Sequence, residues 1–353
     1  MNGKTASKTT VAVKPVKISL QYHLSKEQSV LSNQIVANYK NKIDTLVNAV
    51  CGAGKTELVY AVIAECLSQG KHVAFAVPRR DVVIELSHRI SEVFKENTVI
   101  SVYGSHTDKL EADIVVLTTH QLYRYDKYFD LIILDEIDAF PFKNNKLLSS
   151  MFFRAVNGVV LMMSATPSND VLNYFRKSNR SILELNTRFH KHPLPIPEVI
   201  RKIGIFKIPY LIKKLKEFQA QNKKVFVFAP TIAKCENLSK FLGIFVKNGT
   251  FLHSKCKDRT KKISTFKEGK FDYMVTTSVL ERGVTFKDLQ VIIYDADNEL
   301  YNSYTLIQIA GRVGRKIDAP EGEVIFLVNK TTDSINKAIR TIKSKNKHLQ
   351  NMF

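Results

Sequence analysis

The four cysteines of this 353-residue chain, Cys51, Cys66, Cys235 and Cys256, lie far apart and make no C-x-x-C pair. That spacing argues against a zinc ribbon and against the disulfide framework of a small secreted protein. Reduced thiols are expected, with no structural metal and no zinc. Long apolar runs are missing too: none approaches the ~20 residues that span a bilayer. The opening MNGKTASKTTVAVKPVK is basic, with no apolar core or small-residue cleavage site, and reads as a flexible arm over 1–20, not a signal peptide. The expected place is the cytoplasm. Acidic residues are scarce, 33 Asp plus Glu against 53 Lys plus Arg, for a net charge of +20. Such a surface draws polyanions, nucleic acid first, although an anionic membrane feels the same attraction.

What is present is an alternation. DTLVNAV, HVAFAV, DIVVLT, DLIILD and GVVLMM are short apolar runs separated by helical patterns within residues 43–186. Buried strands joined by helices make a parallel sheet of βα units. In DVVIELSHRISEVF, the spacing of Val82, Leu86, Ile90 and Val93 predicts one face of a crossover helix. The prolines of HKHPLPIPEV suit neither a helix nor a central strand, so they mark a linker over 189–200. KKVFVFAP, GTFLH, FDYMVTT, LQVIIYDA and GEVIFLV then repeat the pattern. The expected organisation is α/β throughout, with domains at 21–188 and 201–335. A Lys-rich helix or tail follows over 336–353, either solvated or in contact with nucleic acid.

Residues 49–56, AVCGAGKT, follow a predicted strand and precede the helical pattern ELVYAVIAECLSQG, the context a phosphate-binding loop requires. Gly52 and Gly54, flanking Ala53, let the backbone close on an anion, and Lys55 adds a point charge. Thr56 offers a hydroxyl to Mg²⁺. Cys51, inside this loop, is either a reactive thiol beside a helix N-terminus or a small residue chosen for size. Further on, DLIILDEID ends a predicted strand in Asp135 and Glu136, which should face the ligand crevice. Asp135 would hold Mg²⁺ and Glu136 would orient and deprotonate the attacking water of ATP hydrolysis.

The remaining stations stand in order: SAT at 164–166, TTSVLERGVTF from Thr276, and QIAGRVGR from Gln308 to Arg315. The set resembles superfamily 2 helicases. VPRRDVVIEL (77–86) and TTHQLYRYDKYFDLIILDEIDAFPF (118–142), with ERGVTF and QIAGRVGR, are similar to the late competence protein ComFA family. The resemblance implies two tandem RecA-like domains with ATP in the cleft between them. It also implies a cytoplasmic ATPase that draws single-stranded DNA inward during natural transformation, alongside a membrane DNA-uptake channel and other competence proteins, peripheral at the inner face. The four-cysteine zinc module common before such motors has no counterpart among these cysteines.

The same resemblance distributes roles. Gln28 in LSKEQ would read adenine, or is an ordinary surface amide. Arg315 and Arg312, with Gln308, would meet the γ-phosphate as the cleft closes. Arg79, Thr118, Thr119, Thr276, Thr277 and Arg282 would hold the strand by its phosphates. Ser164 and Thr166 would couple the two domains, and Phe140, Pro141 and Phe142 would form a rigid packed turn. Two other functions share these motifs: a duplex-unwinding helicase of repair or replication restart, and a nucleotide-switched nucleic-acid-binding protein without motor activity.

Overall fold

Apolar runs become parallel strands where helices can cover both faces of the sheet, and both halves of the chain are built this way. The computed structural model describes residues 5–6, 16–20, 23–104, 106, 108–135, 146–177, 179–280 and 286–350. Two compact units divide it, Met1–Phe189 and His190–Phe353.

The first unit begins with α1 (Lys26–Lys40), held at its start by a reciprocal capping box between Ser25 and Gln28. There follow β1 (Asp44–Ala49), α2 (Lys55–Leu58), α3 (Tyr60–Ser68), β2 (Val73–Val77), α4 (Arg80–Val93), β3 (Val99–Val102) and β4 (Ile114–Thr118). Then come β5 (Phe129–Asp135), α5 (Lys146–Ala155), β6 (Val156–Ser164), α6 (Asn169–Phe175) and β7 (Arg180–Leu185). The sheet runs β3-β4-β2-β5-β6-β1-β7, all parallel. Every residue of the central β2 is buried, as a strand covered on both faces must be. Two local expectations shift. On α4 the core position falls to Val83, with Leu86, Ile90 and Val93, while Val82 is only half-buried. The helix after the phosphate loop is broken at Val59 into α2 and α3.

The second unit holds β8 (Glu198–Arg201), α7 (Lys207–Ala220), β9 (Lys224–Phe228), α8 (Ile232–Phe245), β10 (Gly249–Leu252), α9 (Arg259–Lys267) and β11 (Tyr273–Thr276). It ends with β12 (Leu289–Tyr294), α10 (Ser303–Ala310), β13 (Val324–Val328) and α11 (Asp333–Gln350). Its parallel sheet runs β10-β11-β9-β12-β13-β8. The Pro-rich stretch therefore gives way to an edge strand at Glu198, where β8 pairs with β13. The basic end of the chain is a docked helix: Ile335, Ala338 and Ile342 of α11 are buried. The Asn346 side-chain amide also exchanges two hydrogen bonds of 2.8 Å with the Leu194 backbone.

Candidate nucleotide and nucleic-acid sites

The phosphate loop leaves the C-terminal end of β1 and turns at Gly52 (φ 84°) and Gly54 (φ 75°), both left-handed conformations that suit glycine. Ala53 between them is fully buried. Gly54 is the N-cap of α2 and has no side chain to cap it, so the first N–H groups of that helix meet no competing cap oxygen. Lys55 and Thr56 follow, both half-buried. Gln28 lies against the loop, where its Nε2 donates to the Ala53 carbonyl (2.8 Å) and its Oε1 accepts from the Ser25 N–H (2.8 Å). With only 5% of its surface exposed, this amide braces the loop, which neither sequence alternative anticipated.

Register places the other residues of the site. Val47 of β1, Met163 of β6 and Asp135 of β5 lie in one row across the sheet. Asp135 is thus two strand spacings, about 10 Å, from β1 at the same end of the sheet. Between them β6 ends at the fully buried Ser164, whose hydroxyl accepts from the Thr166 N–H (3.1 Å). Among the described residues no three His, Cys, Asp or Glu side chains gather as a metal cage. Magnesium bound to a nucleotide needs none, since one hydroxyl and one carboxylate suffice when phosphate oxygens and water complete the shell. Thr56 and Asp135 fit that donor set. Glu136, Arg282 and the Phe140–Pro141–Phe142 turn lie outside the described residues.

The residues expected to grip a strand divide. Arg79 and Thr118 sit at the C-terminal ends of the neighbouring β2 and β4. The Arg79 guanidinium forms a two-point pair with Asp81 (3.1 and 2.6 Å). Thr119 is only 5% exposed, its side chain turned inward. Thr276 is fully buried, and its hydroxyl donates to the Leu252 carbonyl at 2.8 Å, tying β11 to β10. Thr277 is buried as well. The Thr119 and Thr276 hydroxyls are thus turned away from solvent, the first enclosed and the second bonded, because residues at the close of an interior parallel strand are covered by their neighbours.

In the second unit, Gln308 on α10 and Arg312 just beyond it are buried. Arg315 is half-buried, its Nε donating to the Gly311 carbonyl at 2.8 Å. Gly314 between them takes φ 66°.

Three features of this architecture escaped the sequence reading. Arg188 is 2% exposed and lies along the phosphate loop, so that a Cβ added at Gly52 would meet its Nε at 3.7 Å. The chain is pinned on both sides of it, by the Thr187 hydroxyl donating to Glu27 (2.6 Å) and by the Phe189 N–H donating to the Gly52 carbonyl (3.4 Å). Glu57 on α2 pairs with Arg89 on α4 at 2.6 Å, bracing the helix that starts at the loop. In the second unit the buried Lys207 and the more exposed Lys234 both bond to Asp295. None of these has a local pattern, because each pairs residues brought together only by the fold.

Comparison with known proteins agrees with this architecture. Residues 21–169 match the family described as type III restriction enzyme, res subunit, and residues 207–316 match the helicase conserved C-terminal domain. Competence protein ComFA of Bacillus subtilis (strain 168) is 33% identical over 344 residues, spanning 94% of this chain and 74% of that protein. Competence protein ComFA of Streptococcus pneumoniae (strain R6) is 35% identical over 333 residues, 91% of this chain and 76% of that protein. In fold, the chain is similar to S. cerevisiae Dbp5 bound to RNA and ADP BeF3, with TM-score 0.72 and 19% identity over 92% of this chain and 88% of that one. Both units are thus RecA-like α/β domains of the superfamily 2 kind, and the chain belongs to the ComFA competence protein family, a helicase-type ATPase.

Proposed function

We propose that this chain is an ATP-driven single-stranded DNA translocase that serves DNA uptake in natural transformation. The observation that carries the reading is the phosphate loop, two left-handed glycines opening an uncapped helix that begins with Lys55 and Thr56. In this reading Gly52, Ala53 and Gly54 wrap the phosphates with backbone N–H groups, Lys55 neutralises them, and Gln28 holds the loop in shape. Thr56 and Asp135 hold Mg²⁺, which when bound offsets phosphate charge. Glu136 takes a proton from water as the water oxygen bonds to the γ-phosphorus and the bond to the ADP oxygen breaks. Arg315 meets the charge developing on the γ-phosphoryl group, with Arg312 and Gln308 behind it. Ser164 and Thr166 relay nucleotide state along the end of β6.

Arg79, Thr118 and Arg282 are the side chains proposed for the DNA backbone, with Thr119, Thr276 and Thr277 shaping the loops that offer N–H groups. Contacts of this kind ignore base identity, as a motor on any sequence must. The net charge of +20 favours encounter with the strand. No helix among the described residues is long and apolar enough to cross a membrane. The proposed place is the cytoplasm, peripheral at the inner face of the membrane, where an uptake channel and other competence proteins would be partners.

The test is ATP turnover against single-stranded DNA, duplex DNA and RNA, together with strand separation on a fork. Strong activation by single-stranded DNA, without separation, is expected. Activation by RNA alone, or none by any nucleic acid, overturns the proposal. Affinity for the strand should fall with salt at a log–log slope of roughly −2 to −5, as for about 3–7 phosphates.

A further inference from the structure

The two helices α7 and α8 cover one face of the second sheet. Their connections, β8 to β9 and β9 to β10, cross the sheet in the same direction, which places both on one side when crossovers are right-handed. Leu211, Leu215 and Phe218 of α7 join Cys235, Leu238 and Leu242 of α8 in a single core beneath them. Their inward faces are thus fully used, yet the outward seam is still apolar. An open groove of about 800 Å³ lies there, walled by Ile208, Pro209, Ile212 and Ala220 on one side and Phe241 and Phe245 on the other. Phe241 and Phe245 are 44% and 47% exposed, and Ile244 beside them 74%. Ile205 and Phe206, just ahead of α7, are 79% and 67% exposed. Contiguous exposed apolar surface of this kind marks an interaction site more often than isolated exposed residues do.

Charge selects the occupant. Lys213 and Lys216 stand on the groove wall. The single acidic lining residue, Glu217, is engaged by Lys213 (3.9 Å) and Lys214 (3.3 Å). Among the described residues no carboxylate pairs with Lys216. Residues 1–20 and 334–353 do not complement this rim, since they contain Lys or Arg and no Asp or Glu. A second copy, at +20, brings the same positive charge. A groove between helices receives a ridge, whereas a bilayer presents a plane. We propose that the α7–α8 groove docks an amphipathic helix of a partner protein, its apolar stripe seated on Ile212, Phe241 and Phe245 and its flanking carboxylates on Lys213 and Lys216.

The proposal is tested on the full chain with a fluorescein-labelled helical peptide of about 16 residues, leucine at i, i+3, i+4 and i+7 and glutamate elsewhere. Controls are a scrambled peptide of the same composition and one with lysine for every glutamate. Anisotropy should show binding of the acidic stripe peptide alone. Phe241→Asp, or Phe241→Ala should the charged variant lose its fold, should raise Kd at least tenfold. Joint replacement of Lys213 and Lys216 by Glu should exchange preference to the lysine peptide. Basal ATP turnover should be unchanged in each variant, which separates this result from failure of the motor reading. Equal binding of the scrambled peptide overturns the proposal, as does Phe241-dependent binding to phosphatidylglycerol vesicles without peptide binding, or a dimer in solution that Phe241→Asp dissolves.

Discussion

Replacing the two glycines of the phosphate loop one at a time separates backbone strain from side-chain contact. At Gly52 (φ 84°) a Cβ would have its nearest neighbour at 3.7 Å, an ordinary contact, so alanine there bears only the left-handed backbone, about 1–2 kcal/mol. At Gly54 (φ 75°) the same backbone term applies, but the Cβ would come 2.6 Å from Nε2 of Gln28. Gln28 is buried and bonded at both ends of its amide, so moving it gives up two hydrogen bonds worth about 1 kcal/mol each. Gly54→Ala should therefore cost about 3–4 kcal/mol. For a domain of this size, calorimetry should place its transition ~10 °C lower, against ~5 °C for Gly52→Ala. In the background of Gln28→Ala, Gly54→Ala should lose its steric share and cost about the same as Gly52→Ala. Equal drops for the two single variants, or no relief from Gln28→Ala, would refute the account of Gln28 as a brace packed against Gly54.

Three other outcomes are expected. Asp295→Ala leaves Lys207, 2% exposed, without its carboxylate and should cost about 3–5 kcal/mol in urea unfolding, whereas Lys207→Met keeps volume without charge and should cost less; equal losses would contradict the burial argument. Arg315→Ala should lower DNA-stimulated turnover by about 10³-fold or more while ATP affinity stays within about tenfold; a loss of turnover under tenfold with folding intact would pass the role to Arg312. Burial pushes the Cys235 thiol up to about 12, so a thiol reagent at pH 8 should label Cys51 and Cys256 first and reach buried Cys66 and Cys235 only on unfolding. Because the folded state holds that proton more tightly, the linked stability is present below the ordinary value of 9.0 and is lost as pH rises toward 12; burial also raises Tyr60 and Tyr273 from 10.0 to about 12, so Cys235→Ala should lower this slope in part, chiefly where it begins between 9.0 and 10.0, and an unchanged slope there would assign it elsewhere.

By itself the sequence determined the α/β class, the loop of residues 49–56 and the order of the helicase stations, because these are local: alternating apolar runs dictate parallel strands, and Gly52 and Gly54 shape the loop through their own backbone. Asp135 was legible for the same reason, as the last residue of an apolar run. Only the tertiary structure decided which polar residues face inward. Thr119, Thr276 and Thr277 look like a phosphate grip in sequence, yet neighbouring elements bury all three side chains. Gln28 and Arg188 stand far from the loop in sequence, at its two flanks, and reach it because α1 and the segment after β7 pack against it. The groove of α7 and α8 was equally hidden. A helical period predicts an apolar face, but which of those residues the sheet covers and which stay in water depends on how two helices share one surface.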